Sequence, residues 1–341
     1  MPGSDSDRIA SLSVVDAIAG YYAVKAIDAL VVSGAMQALA DGGTLKQIAA
    51  GFGFDEQALL SVLRYLEKTT DIIELRSHDS SHSATLSRKY RASEVEHLTN
   101  LYVGAFGPCC DRIAEILRGS AKCDLVDLRR HSLAFVSDGP PDPYLPRLLR
   151  EIRVSRLLDI GCGGGDLLIH MASTDNGFTG VGVDSNREAL ERARGRCAAS
   201  SELQSRIEWL ECSVLELHRS LSPEVRDGLQ ALCLRSVLNS LFSDKSLVKV
   251  VGVLGYLKEM FPKRILIVAD YFAKLREPSC PSGSYRRTLI HDFAQLASAQ
   301  GLPPAEQSGW ETLYSQAQVS LIQAFHYAGD GLDHFIHLLQ L

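Results

Sequence analysis

The sequence predicts an α/β protein: a doubly wound, mainly parallel sheet closed by a C-terminal antiparallel hairpin, preceded by a mainly α-helical domain of winged-helix outline. Three observations predict it. An apolar run, Leu157-Leu158-Asp159-Ile160, feeds a glycine-dense turn, Gly161-Cys162-Gly163-Gly164-Gly165-Asp166, and then a helical pattern. That is how a strand delivers its chain into a tight loop at the top of a parallel sheet. After residue 150, strand and helix patterns alternate, as βαβ units do. Before residue 150, the periodicity is mostly helical, broken by one short alternating segment.

The first part is read as residues 1–95. Helical periodicity runs from Ser11 to about Gly34, with a short second helix from Gly34 to Leu39. Thr44 is placed to cap a helix from Leu45 to Gly51, and Asp55 one from Glu56 to about Thr69. Ile72–Leu75 alternates like a strand. The polar stretch Ser77–Ala84 reads as a connection, with Thr85–Tyr90 returning as the partner strand. Helices followed by a two-stranded wing suggest DNA binding, but Glu56–Lys68 carries Glu56, Arg64, Glu67 and Lys68, with no net positive charge. An interaction role is expected instead. Residues 96–150 read as a helical linker and pocket lid that contains the breaker cluster Gly139–Pro143.

Residues 151–341 form the third part. Strands are expected at Arg156–Ile160, Thr179–Asp184, Ile207–Cys212, Leu229–Leu234 and Arg264–Asp270. Helices are expected at Asp166–Ser173, Arg187–Ser200, Ser246–Met260, Thr288–Gln300 and Trp310–Ala317. Val319–Tyr327 and His334–Leu339 flank Ala328-Gly329-Asp330-Gly331, a hairpin signal.

Composition sets limits. The 341 residues suffice for two cores, and a net charge of −6 argues against a nucleic-acid partner. The eight cysteines show no CxxC spacing, so no zinc ribbon or redox motif is expected, and a reducing cytoplasm fits. The apolar stretch 12–40 contains Asp16, Lys25 and Asp28, so no membrane span is expected.

The glycine turn carries the chemistry. A dinucleotide loop needs glycine at its first, third and sixth positions. Gly161 and Gly163 fit, but the sixth is Asp166, which would repel a pyrophosphate. Acids at the loop, Asp159 and Asp166, favour a ligand with a sulfonium and an ammonium. Asp184, ending the next strand and followed by Ser185, is placed to accept hydrogen bonds from ribose hydroxyls. The loop resembles the S-adenosylmethionine (SAM) loop of class I methyltransferases, and a Rossmann-like SAM-binding sheet is what that implies. Thr44–Ala49, Leu63–Leu66, Leu234–Asp244 and Asp292–Leu296 through Trp310 and Leu313 extend the resemblance to small-molecule O-methyltransferases with an N-terminal winged-helix dimerisation domain.

This resemblance implies SAM as cofactor, S-adenosylhomocysteine (SAH) as product, a small-molecule acceptor and a homodimer; Tyr21 and Tyr22, on the first helix, read as core residues, with an approach to the partner's pocket as the alternative. It assigns Asp159, Gly161, Gly163, Gly165, Asp184, Ser185, Ser213 and Arg235 to the cofactor. It assigns Asn239, Asp270, Arg286, Arg287 and Gln295 to the acceptor. Two positions depart from the pattern. Asn239-Ser240 stands where the family has its His-Asp base, and asparagine cannot take a proton from a hydroxyl. Ser213 replaces the acid that binds adenine. His291 and Asp292 become the candidate catalytic pair, and no metal is expected. N- or O-methylation of a small polar metabolite, in natural-product biosynthesis, is the reading. The alternatives are C-methylation of a 2-oxo acid and a ligand-sensing regulator with an inactive domain.

Overall fold

The computed structural model describes residues 13–78, 81–119, 125–135, 143–198, 200–242, 247–277, 285–329 and 332–341. The breaker residues 139–142, the turn residues 330–331 and the start of the helix placed at Ser246 lie outside them. The chain divides into two compact units, not three: Ile9–Pro108 with Val126–Ser137, and Cys109–Leu125 with Asp138–Leu341. The segment read as one linker is thus shared between both.

The first unit opens with α1 (Val14–Val32), which Ser13 starts through a capping box with Asp16. There follow α2 (Ala35–Asp41), β1 (Gly43–Thr44), α3 (Leu45–Phe52) and α4 (Glu56–Thr69), the last two capped by Thr44 and Asp55. Then come β2 (Ile73–His78) and β3 (Ser81–Leu86), in a three-stranded antiparallel sheet of order β1-β3-β2. The return strand therefore begins at Ser81, not Thr85. Its small polar residues carry little strand propensity, and pairing on both sides makes the strand. Leu30, Met36, Leu45, Leu63, Leu66 and Ala84 fill this core. Helix α5 (Ala92–Leu98) runs into a π-helical turn over Thr99–Ala105; the short α6 (Gly107–Cys110) and α7 (Ile113–Leu117) follow, α7 belonging to the second unit, and α8 (Leu128–Ala134) returns to the first. Arg130 on α8 bonds Asn100 Oδ1 and Asp28 Oδ1, both at 2.6 Å. A Cβ on Gly104 would lie 2.5 Å from that guanidinium, so glycine is needed there.

The second unit carries α9 (Tyr144–Glu151) and β4 (Arg156–Ile160), then α10 (Asp166–Thr174), β5 (Thr179–Asp184), α11 (Arg187–Cys197), α12 (Ser201–Arg206) and β6 (Ile207–Glu211). The chain continues through α13 (Leu217–Ser220), α14 (Pro223–Gly228), β7 (Ala231–Arg235), α15 (Val248–Met260), β8 (Ile265–Tyr271), α16 (Arg286–Ala297), α17 (Gln307–Gln316), β9 (Ser320–Gly329) and β10 (Leu332–Gln340). The helix expected to reach Ser200 stops at Cys197, and Ser200 caps α12 instead. The seven strands run β6-β5-β4-β7-β8-β10-β9, parallel through β8, with β10 antiparallel to both neighbours. From β4 the chain winds outward to β5 and β6, then crosses back to β7. The ends of β4 and β7 are therefore a topological switch point, where open α/β sheets hold their ligands. One face of the sheet packs Leu158, Leu232 and Leu234 with Leu254, Trp310 and Phe335. The other packs Leu157, Ala231 and Ile267 with Leu149, Leu168 and Phe178. Among the described residues no single helix is long and apolar enough to cross a membrane.

Candidate active site

The site lies at the switch point. Gly161, Gly163 and Gly165 all take positive φ, at 72°, 53° and 79°, where other L-residues are strained. Two of them are fixed by their neighbours. A Cβ on Gly161 would come within 2.4 Å of Val237 Cγ2, and one on Gly165 within 2.3 Å of the Trp209 ring. The loop after β4 thus rests on the segment after β7 and on an indole from β6. Gly163 differs: nothing lies within 4 Å of its missing Cβ, so that side of the loop is open.

Asp184, at the end of β5, ties the loop down. One carboxylate oxygen accepts Gly163 N–H at 2.8 Å and the other Asn186 N–H at 2.7 Å. Each oxygen keeps a lone pair for a further donor. Ser185 beside it is exposed. Ser213 caps the turn after β6, accepting from Leu215 N–H at 3.2 Å, so its hydroxyl already has a local duty.

Asp159 is the exceptional group. It is 1% exposed, and neither oxygen has a hydrogen-bond partner of ordinary geometry. Burial pushes its carboxyl up to about 7; the half-buried Arg235 opposes this, while Asp184 and Asp166 add to it. A buried carboxylate left unsatisfied is costly, and a cation supplied by a ligand would satisfy it. Asp166 does not share that task. It is ion-paired to Arg196, which also donates to Gly164 O at 2.9 Å, so its charge is used to brace the loop. Neither Arg196 nor Trp209 was picked out from the sequence. Gly182 on β5 is a signal for the indole, since a Cβ there would lie 2.4 Å from the Trp209 ring. For Arg196 there was none.

The acceptor candidates are spread along the ligand edge of the sheet. Asp270 is 3% exposed, accepts Asn239 N–H at 3.1 Å and Tyr271 N–H at 3.0 Å, and is pushed up to about 7 by burial. Asn239 is buried, its main chain held by that bond. On α16, Arg286 is exposed, Arg287 half-buried and Gln295 buried with Oε1 unpartnered. His291 is half-buried, with its ring edge-on to Tyr271 at 4.9 Å and Nε2 3.5 Å from Gln295 Nε2. Asp292 corrects the expected pair. It is fully buried, and one oxygen accepts Lys274 N–H at 2.6 Å and Leu275 N–H at 2.7 Å. Adjacent residues on a helix do not face the same way, and Asp292 pins the segment after β8 through one oxygen. Among the described residues no group of three His, Cys, Asp or Glu side chains could hold a metal ion.

A model of the methyltransferase domain family matches residues 130–257, the stretch that contains the glycine loop, Asp184, Ser213 and Arg235. The chain carries a class I, SAM-dependent methyltransferase domain. Solved methyltransferases share its fold along nearly the whole chain. The mitomycin 7-O-methyltransferase MmcR is 17% identical, covers 96% of this chain and 97% of its own, and superposes with a TM-score of 0.70. The N,N-8-amino-8-demethyl-D-riboflavin dimethyltransferase RosA from Streptomyces davawensis is 19% identical over 98% and 99%, at 0.63. CalO1, a methyltransferase in calicheamicin biosynthesis solved with SAH, is 19% identical over 96% of each chain, at 0.60. No curated protein sequence matches the chain.

The methyltransferase site suits SAM: the unsatisfied Asp159 carboxylate wants a cation, Gly163 leaves room over the loop, and Asp184 offers free lone pairs. Bound there, SAM supplies a methyl group already activated on a sulfonium. The sign of a pH effect follows. A cation beside Asp159 favours the ionised carboxylate, so binding is linked to proton release. SAM affinity should rise with pH up to about 7 and level off above it. Calorimetric titrations from about pH 5.5 to 8 should show that slope in the native protein and not in Asp159→Asn. A slope that survives the substitution assigns the proton to another group, such as Asp270.

Proposed function

We propose that this methyltransferase moves the methyl of SAM to a nitrogen or oxygen of a small polar metabolite in natural-product biosynthesis, with His291 receiving the acceptor's proton. The observation that carries the reading is the pairing of two facts at the ligand edge. Asn239 supplies no base after β7, and His291 stands half-buried against Tyr271, the last residue of β8. A neutral imidazole can take a proton from an amine or hydroxyl near neutral pH. Otherwise the catalysis is alignment, since an oriented acceptor needs little further help against a sulfonium. The natural-product roles of MmcR, RosA and CalO1 support this acceptor class. The unbonded state of the six described cysteines supports a cytoplasmic setting. His291→Ala should lower turnover about a hundredfold, the typical worth of one acid–base group, with SAH affinity unchanged. An SAH-release assay on acceptors related to those metabolites measures both. Unchanged turnover on an accepted substrate would leave catalysis to positioning alone.

The first unit is read as a winged-helix dimerisation domain. Helix α1 is apolar around its circumference and leaves Val14, Val15 and Ile18 at least half exposed, with Tyr21 and Tyr22 at 59% each. So many large apolar groups on one helix mark an interaction face, and a second copy of the chain is the expected partner. Light scattering at micromolar concentration should read twice the chain mass of 37.2 kDa. A single-chain mass would remove the dimer.

A further inference from the structure

Beside the site described, the second unit contains a cavity of about 240 Å³ bounded by Phe242, Ala273, Arg276 and the stretch Leu302-Pro303-Pro304. Two of its lining residues follow strands whose ends form the ligand edge of the sheet. Phe242 follows Asn239 after β7, and Ala273 follows Asp270 after β8.

Its far wall is held in place. Gly301, at φ +78°, packs so tightly that a Cβ would lie 1.9 Å from Phe242 O. A Cβ on Gly309 would lie 2.6 Å from Pro304 Cβ. At the end of the wall, Ala305 O accepts from Lys274 Nζ at 3.2 Å. Two consecutive prolines stiffen the stretch between these anchors. Such a wall keeps its shape before any ligand arrives, which lowers the cost of binding.

The charges in this region are not equivalent. Lys274 is ion-paired to Glu277 at 3.0 Å and to Asp333 at 3.3 Å. Arg276 is exposed at the rim and makes no ion pair or hydrogen bond among the described residues. Every other bounding side chain named above is apolar. A rigid apolar slot with one available guanidinium recognises an apolar ring system bearing one anion, since arginine pairs carboxylates through a planar fork. The volume lies below the roughly 300 Å³ at which pockets for whole drug-sized ligands begin. It therefore takes one ring system, not a complete large metabolite.

We propose that this cavity is an acceptor subsite that selects a methyl acceptor with an aromatic or similarly apolar body and a single carboxylate or phenolate. The proposal rests on the small-molecule methyltransferase reading above and narrows its substrate class.

The test uses 2-naphthoate and the neutral 2-naphthylmethanol as probes, titrated by ligand-observed NMR into the full chain with SAH saturating. The naphthoate should bind roughly fivefold more tightly than the alcohol, the upper range for a rim ion pair. Arg276→Gln should erase that preference, Arg276→Lys should keep part of it, and Leu302→Trp should weaken both probes. SAH affinity, measured alongside, reports that each variant is folded. Equal binding of the two probes to the native protein, a preference that survives Arg276→Gln, or displacement of naphthoate by SAH overturns the subsite. Failure of the native chain to bind SAH overturns the methyltransferase reading, and the subsite with it.

Discussion

Gly163→Val should abolish measurable SAM binding while the domain stays folded. Gly163 sits at φ 53° with open space where its Cβ would be. A Cβ there has no heavy atom within 4 Å, so the main cost to the folded state is the left-handed strain, about 1–2 kcal/mol. The branched side chain instead fills the room above the loop that the cofactor requires. Expected is a loss of affinity beyond about a hundredfold, because a shape clash cannot be relieved by a loop held from beneath by Asp184. Calorimetry with SAH and a thermal melt separate the two effects. Affinity within about twofold of native would place the cofactor elsewhere. Gly161→Ala and Gly165→Ala are informative controls. Their Cβ atoms would meet Val237 and Trp209 at 2.4 and 2.3 Å, so they should lower the melting temperature as well.

Asp184→Ala should weaken SAM binding by more than about tenfold, since each charged hydrogen bond is worth about 1.5–3 kcal/mol. Two losses coincide in this variant. The ribose hydroxyls lose their acceptor, and Gly163 N–H and Asn186 N–H lose the anchor that shapes the loop. Asp184→Asn separates them: its one carbonyl oxygen can keep one of these bonds but not both. Its affinity should fall between that of the native protein and that of the alanine variant. Unchanged calorimetric affinity in the alanine variant would remove the nucleoside assignment.

The parallel sheet was legible because its signals are local. An apolar run, a glycine turn and an acid at the next strand end are read directly from neighbouring residues. The caps at Thr44 and Asp55 were equally plain, being set by one side chain and an amide three residues on. What failed to show depended on pairing at a distance. Ser81–Ser83 looks like loop until β2 pairs along it and β1 adds a partner at Ser83. Asp166 looks like a ligand acid until Arg196, on a later helix, neutralises it. Asp292 looks like a catalytic partner for His291 until two amides after β8 claim its carboxylate. Residue type and spacing mark the glycine loop because its positive-φ turns and the strand before it are set by neighbouring residues. The acceptor pocket is built from side chains of separate segments, and sequence order says little about which of them meet.

The place of β10 has a consequence for how the chain reaches this structure. It lies between β8 and β9, so β9, although earlier in sequence, bonds to nothing in the sheet except β10. Until β10 is present, the growing sheet ends at β8, whose backbone edge from Ile265 to Tyr271 awaits seven partners. An apolar strand edge of that length invites pairing with another molecule. The last two strands form a local hairpin, which is quick, and then dock onto β8 together. Assembly of this half of the molecule therefore ends on one docking event. Refolding yield is therefore expected to depend on how fast that hairpin docks relative to self-association at the β8 edge.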